Sequence, residues 1–305
     1  MGTLEGKVAV VTGAAHGLGR VHALELARQG ARVVVQDIGA TRDGSGRDEG
    51  PAQAVVDEIA ALGGEAVAHF GDAADWNDAQ ALVGKALETF GDLNVLVNNA
   101  GYIRDATLFN MSEKDFDDVV RVHLKGHFVN MRMAAVYWRE RSKRTGGPVY
   151  GRLVSTSSEA AILGSAGQPN YAAAKSGIIA MTLGAAQLCW KYGVTANVIM
   201  PRARTRMTAE GPVAAAFAKP PQGFDTFAPE NVAPLVAWLA GPAAQRVSGQ
   251  VFLVFGRTVK VLQRPTVAAS FESDEAWSVA ALDAKLGPHF EKLEPVKDGF
   301  AVEFM

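Results

Sequence analysis

The sequence predicts an α/β protein built on a single doubly wound parallel sheet of about seven strands, with helices on both faces. Three observations predict it. Short β-branched runs alternate with longer helix-patterned stretches across residues 7–256, the order of a parallel sheet whose crossovers are helices. The runs are apolar almost throughout rather than at every second position, as strands covered on both faces are. The first run enters its helix through TGAAHGLG at 12–19, with three glycines in seven positions. Such a turn lets a phosphate reach the backbone and the free N–H groups of a helix N-terminus, although a tight turn needing positive φ would also use glycine.

In order, VAVV at 8–11 is the first strand and 18–29 its helix. RVVVQ at 32–36 is the second strand, followed by IGATRDGSGRDEGP at 38–51, a glycine-rich, charged surface loop, and a helix at 51–62. EAVAHF at 65–70 precedes a helix at 76–90, and NVLV at 94–97 precedes a long helix at 113–140. Ser112, three residues before Asp115, can cap that helix. RSKRTGGP at 141–148 reads as a basic loop tip in solvent. RLVST at 152–156 leads to a helix at 170–191, TANVI at 195–199 to one at 229–240, and VFLVF at 251–255 closes the sheet. Residues 1–256 are therefore expected to form one domain and 257–305 a C-terminal extension, with a helical piece near 276–286.

Composition excludes several function classes. Thirty basic and 32 acidic residues leave a net charge of -2, which offers no electrostatic basis for nucleic-acid binding. The single cysteine, Cys189, excludes an intrachain disulfide and reads as packing. MGTLEGKVAVV lacks the basic-then-apolar pattern of a signal peptide, and no run approaches eighteen apolar residues. A cytoplasmic protein without a membrane span is the expectation. No His/Cys/carboxylate group has metal-ligand spacing, so no metal is expected.

The informative residues should follow the carboxyl ends of the strands. Eighteen positions beyond Gly19, Asp37 ends the second strand, where its carboxylate can bind adenine-ribose hydroxyls and repel a 2′-phosphate. NAD is therefore the expected cofactor, although His16, just before Gly17, is a basic residue that can help NADP. The pattern Thr12-Gly13-x-x-x-Gly17-Leu18-Gly19, Asn98-Asn99-Ala100-Gly101 after the fourth strand, Ser158 after the fifth and Tyr171-x-x-x-Lys175 in the next helix resemble the short-chain dehydrogenase/reductase family, a Rossmann-type fold. Ser158 lies thirteen residues before Tyr171, and the match runs over about residues 5–255.

Chemistry explains these residue types. Taking hydride from an alcohol also requires taking its hydroxyl proton, and a free tyrosine with a pKa of about 10 is a poor base at neutral pH. Lys175, one helical turn on, can favour the phenolate. Ser158 can hold the substrate oxygen near Tyr171 and the nicotinamide. The resemblance further implies that Asp72 and Ala73 border the adenine. It places Asn99, Ala100 and Gly101 along the ribose, has Asn98 brace the sheet, and puts Pro201, Ala203 and Thr205 beside the nicotinamide. Asp72 could also cap the helix near Asp75.

The chain departs from the family pattern at His123, in VHLKGHF, where an asparagine usually completes the catalytic set. Its imidazole can hold a water in a proton path from Lys175, or be a buried, satisfied helix histidine. The phrases around His123 and Tyr171, and TRMT at 205–208, resemble the (3R)-hydroxyacyl-CoA dehydrogenase domain of peroxisomal multifunctional enzyme type 2. A second departure is PRARTR at 201–206, in place of Pro-Gly. Arg202, Arg204 and Arg206 could grip an anionic substrate or cofactor phosphates, or be solvated loop charges. The reading is an NAD-dependent secondary-alcohol dehydrogenase, with a 3-hydroxyacyl or 3-oxoacyl thioester favoured. A steroid or other cyclic alcohol remains open because Val213, Phe217, Phe224 and Phe227 offer an apolar lid. A non-catalytic NAD-binding sensor or scaffold is the third reading. The resemblance implies a homodimer or homotetramer through the helices at 113–140 and 170–191.

Overall fold

A computed structural model describes residues 2–41, 44–209 and 214–294. Eight strands form one sheet in the order β3-β2-β1-β4-β5-β6-β7-β8. The first seven, β1 (Val8–Thr12), β2 (Arg32–Asp37), β3 (Ala66–Phe70), β4 (Val95–Asn98), β5 (Gly151–Thr156), β6 (Val194–Pro201) and β7 (Val251–Phe255), are parallel. The order reverses between β1 and β4, which opens a crevice beyond their carboxyl ends.

Successive residues of one strand serve opposite cores. Ala9 and Val11 pack beneath α1 (Gly17–Arg28), α2 (Gly50–Ala61) and α8 (Ala233–Ala240). Val8 and Val10 pack beneath α3 (Trp76–Phe90), α5 (Gly126–Thr145) and α7 (Pro169–Cys189). This two-sided burial is why the strands read as unbroken apolar runs. Helix starts follow local chemistry: Asp75 accepts from the Asn77 and Asp78 amides, and Ser112 from the Asp115 amide at the start of α4 (Glu113–Val120).

The structure corrects the expected elements in four places. The helix expected over 113–140 is broken by a π-turn, Arg121–Lys125, between α4 and α5. Residues 141–145 are not a loop tip: α5 continues to Thr145, with Lys143 and Arg144 in its last turn, where cations favour the helix dipole. A short α6 (Ala160–Leu163) follows β5. An eighth strand, β8 (Thr258–Val261), reverses through Gly256 and pairs antiparallel with β7, so the sheet reaches five residues into the expected extension. Beyond it, α9 (Val279–Phe290) buries no side chain.

Together with its 3-10 continuation, α7 covers Pro169–Tyr192 and is long and apolar enough, by composition alone, to cross a bilayer. Here it packs along β5 and β6 and carries Tyr171 and Lys175.

Candidate active site

A cleft of about 950 Å³ lies over the carboxyl ends of the strands. The glycine-rich turn forms one end. Gly13 and Gly17 have φ of +63° and +50°, so the turn does need glycine for its conformation. A Cβ at Gly19 would overlap the Gly13 carbonyl. Gly19 is accordingly a packing glycine outside the cleft lining, unlike Gly13, His16, Gly17 and Leu18, which line it. His16 caps α1 without a side-chain bond to it, and burial together with Arg206 holds its imidazole below the usual range.

Asp37 lines the same end. One of its oxygens accepts from the Ala15 amide (2.9 Å) and the other from the Gly39 amide (2.8 Å), which ties the carboxylate to both surrounding loops. Asp72 and Ala73 follow β3 on the cleft wall. Asp72 accepts from the Ala74 amide and pairs with Arg121, while the cap of α3 is Asp75 rather than Asp72. Asn99, Ala100 and Gly101 line the middle. Thr12 Oγ1 accepts from the Asn99 and Ala100 amides (3.0 and 3.1 Å), a tether the sequence reading missed. Asn98 is buried in the sheet and donates to the His127 carbonyl (3.5 Å).

Ser158, Tyr171, Lys175 and His123 meet beside Gly101. Lys175 Nζ lies 5.4 Å from the Tyr171 ring centre and donates to the Thr156 carbonyl at 2.7 Å. Burial pushes the Tyr171 phenol up to about 12, against a smaller lowering by the Ser158 hydroxyl. Burial likewise pushes Lys175 down to about 7. His123 meets the Tyr171 ring edge-on at 5.2 Å. The π-turn buries it, and its Nε2 lies 2.7 Å from the Tyr102 carbonyl. Burial and the nearby Lys175 hold it neutral. The hydrogen bond therefore assigns the proton to Nε2 and leaves Nδ1 as an acceptor without a partner among the described residues. A Cβ at Gly101 would overlap this ring, so the glycine is required by close approach.

Pro201, Ala203 and Thr205 line the cleft after β6. Two of the arginines there follow neither of the alternatives the sequence left open. Arg202 is buried and bridges Glu159 through two bonds of 2.6 and 2.8 Å. Arg204 pairs with Asp225 and donates to the Phe217 carbonyl at 3.1 Å. Arg206 alone of the three is exposed, on the cleft lining. Phe217 is buried against Phe227 (4.6 Å) and reaches the cleft, Phe224 is half exposed, and Val213 lies outside the described residues.

These features fit a dinucleotide: uncapped amides at the start of α1, a fixed carboxylate at the end of β2 and an elongated cleft leading to a Ser-Tyr-Lys group. The family pattern of short chain dehydrogenases matches residues 7–212. The chain belongs to the short-chain dehydrogenase family.

This dehydrogenase is 48% identical to a hydroxyacyl-CoA dehydrogenase of Mycobacterium tuberculosis, across 99% of this chain and 94% of that protein. Against peroxisomal multifunctional enzyme type 2 of Drosophila melanogaster the identity is 42%, across 77% of this chain but only 36% of that longer protein. A crystal structure of a short chain dehydrogenase from Mycobacterium avium superposes with a TM-score of 0.84, at 46% identity, covering 96% of this chain and 98% of that one. A Burkholderia cenocepacia short chain dehydrogenase, solved in complex with NADP, gives a TM-score of 0.71 at 32% identity, covering 83% and 98%. The family membership makes this chain an oxidoreductase of CH–OH groups that uses a nicotinamide cofactor.

Proposed function

We propose that this dehydrogenase uses NAD(H) to interconvert a 3-hydroxyacyl thioester and its 3-oxoacyl counterpart. The observation that carries the catalytic reading is the meeting of Ser158, Tyr171 and Lys175 in one cleft. The likeness to a hydroxyacyl-CoA dehydrogenase over nearly the whole chain supports the substrate class.

The glycine-turn amides would hold the cofactor's pyrophosphate, Asp37 its adenine ribose, and Lys175 its nicotinamide ribose. When bound, the cofactor supplies the hydride acceptor or donor. In alcohol oxidation, Ser158 holds the substrate oxygen and Tyr171 Oη takes the hydroxyl proton; in ketone reduction Tyr171 returns it. Lys175 in its ammonium form favours the phenolate. His123 Nδ1 would accept from a relay water serving Lys175. Asp37 would meet a 2′-phosphate with like charge, which supports NAD over NADP. A cytoplasmic location and a homo-oligomer complete the reading.

The test is initial-rate kcat/KM with NADH on 3-oxoacyl-CoA, ketosteroid and small cyclic ketone panels. A thioester is expected to be the best substrate. The Phe217–Phe227 pair in the substrate loop offers a neutral ring system an apolar contact instead, so a steroid or cyclic ketone with much higher kcat/KM would overturn the thioester assignment. Tight NADH binding without turnover of any panel member would instead favour a sensor or scaffold.

A further inference from the structure

Ser158 sits between two neighbours that are both tied down. On one side, the Ser157 amide donates to the Ile199 carbonyl (2.8 Å) and its hydroxyl to the Lys175 carbonyl (2.9 Å). On the other, Glu159 turns its carboxylate inward to Arg202. Both side chains are almost fully buried, at 2% and 3% exposure. The fork is bidentate: Arg202 Nε reaches one carboxylate oxygen at 2.6 Å and Nη2 the other at 2.8 Å. The Arg202 amide is anchored to the Val254 carbonyl (3.0 Å), and its guanidinium lies 5.1 Å from the Phe255 ring centre. One bridge therefore links the carboxyl ends of β5, β6 and β7 under the reacting end of the cleft.

A buried ion pair is a weak source of stability, because desolvating two charges offsets their attraction. Its planar, two-point geometry does fix position. We propose that Glu159 and Arg202 are a positioning pair for the reaction, holding the Ser158 hydroxyl in register with Tyr171 and the substrate oxygen. Neither residue exchanges a proton with the substrate. Each acts through the backbone that carries Ser158 and Pro201. Misplacement of a reacting group by about 1 Å can cost on the order of a hundredfold in rate. The inference rests on the reading of Ser158 as the residue that holds the substrate oxygen.

The experiment compares Glu159→Gln, Arg202→Met and the double variant Glu159→Leu/Arg202→Met. The substrate is whichever secondary alcohol the wild-type enzyme turns over best. The readouts are kcat, NADH affinity, melting temperature and the isotope effect with deuterium at the reacting carbon. Each single variant is expected to lose at least tenfold in kcat, to bind NADH within about threefold of wild type, and to show a larger isotope effect as hydride transfer becomes limiting. The double variant replaces the pair with apolar side chains of similar volume and is expected to regain the wild-type melting temperature while kcat stays at least tenfold down. Recovery of kcat together with melting temperature in the double variant would overturn the proposal, since the pair would then serve folding alone. Lost activity with an unchanged isotope effect would also overturn it, as would single variants within twofold of wild type. A wild-type enzyme inactive on every alcohol would count against the catalytic reading itself, before any variant is made.

Discussion

Tyr171 and Lys175 carry opposite perturbations from one cause. Burial favours the neutral phenol and the neutral amine, giving a tyrosine near 12 and a lysine near 7. Tyr171 is then protonated throughout the neutral range, ready to donate to a ketone, and must lose its proton before it can accept one from an alcohol. Alcohol oxidation should therefore rise as pH rises toward about 12, whereas ketone reduction should hold steady through neutrality and fall only as that value is approached. Oxidation faster at pH 6 than at pH 9 would contradict this assignment. Asp37 sets a second residue-level expectation. Both its oxygens already accept backbone amides, so its charge is fixed in place and kcat/KM should be higher with NAD than with NADP. Equal values, or an NADP preference that Asp37→Asn leaves unchanged, would count against it. At His123, the asparagine variant should keep activity because it too can hold a water, and His123→Leu should lose most of it. Full activity in a folded leucine variant would make the imidazole a packing residue.

At the scale of elements, Ser112 gives a contained test: its hydroxyl accepts the Asp115 amide at 3.1 Å, and Ser112→Ala should cost about 1 kcal/mol of stability in denaturant melts. No measurable change would show α4 to be held by packing alone. Six strands were legible because each buries both faces, a burial that leaves a continuous apolar run, while the half-buried β3 was placed by its position before a helix pattern. The motif residues were legible because they follow those runs. β8 escaped because TVKV is short, alternating and mostly exposed. The break after α4 escaped because a π-turn keeps helical φ and ψ and leaves the apolar pattern nearly intact. Arg202 stood out as a departure from Pro-Gly, yet its partner Glu159 lies 43 positions away, and spacing cannot pair charges across a sheet. The same limit hid Arg204 and Asp225. With those two arginines engaged, any salt dependence of thioester KM should trace to Arg206: raising ionic strength should increase KM with kcat unchanged, and Arg206→Gln should abolish the dependence.

On the whole molecule, the sheet reversal between β1 and β4 opens the crevice, and the residues after β1 to β6 line one continuous cleft within it. Phe116, Phe128, Leu188 and Trp190 are exposed on α4, α5, α7 and its 3-10 continuation, the elements through which the proposed homo-oligomer would form. Light scattering should report a dimer or tetramer, and Leu188→Glu with Trp190→Glu should shift it toward monomer; an unshifted wild-type monomer would contradict the homo-oligomer. The most direct test of the central claim is NADH formation from NAD and a 3-hydroxyacyl-CoA by wild-type and Tyr171→Phe enzyme, with NADH affinity measured on both. The account predicts turnover by the wild type, loss of most of it in the variant and nearly equal NADH binding. A folded Tyr171→Phe enzyme within tenfold of wild type, about 1.4 kcal/mol of barrier, would contradict it.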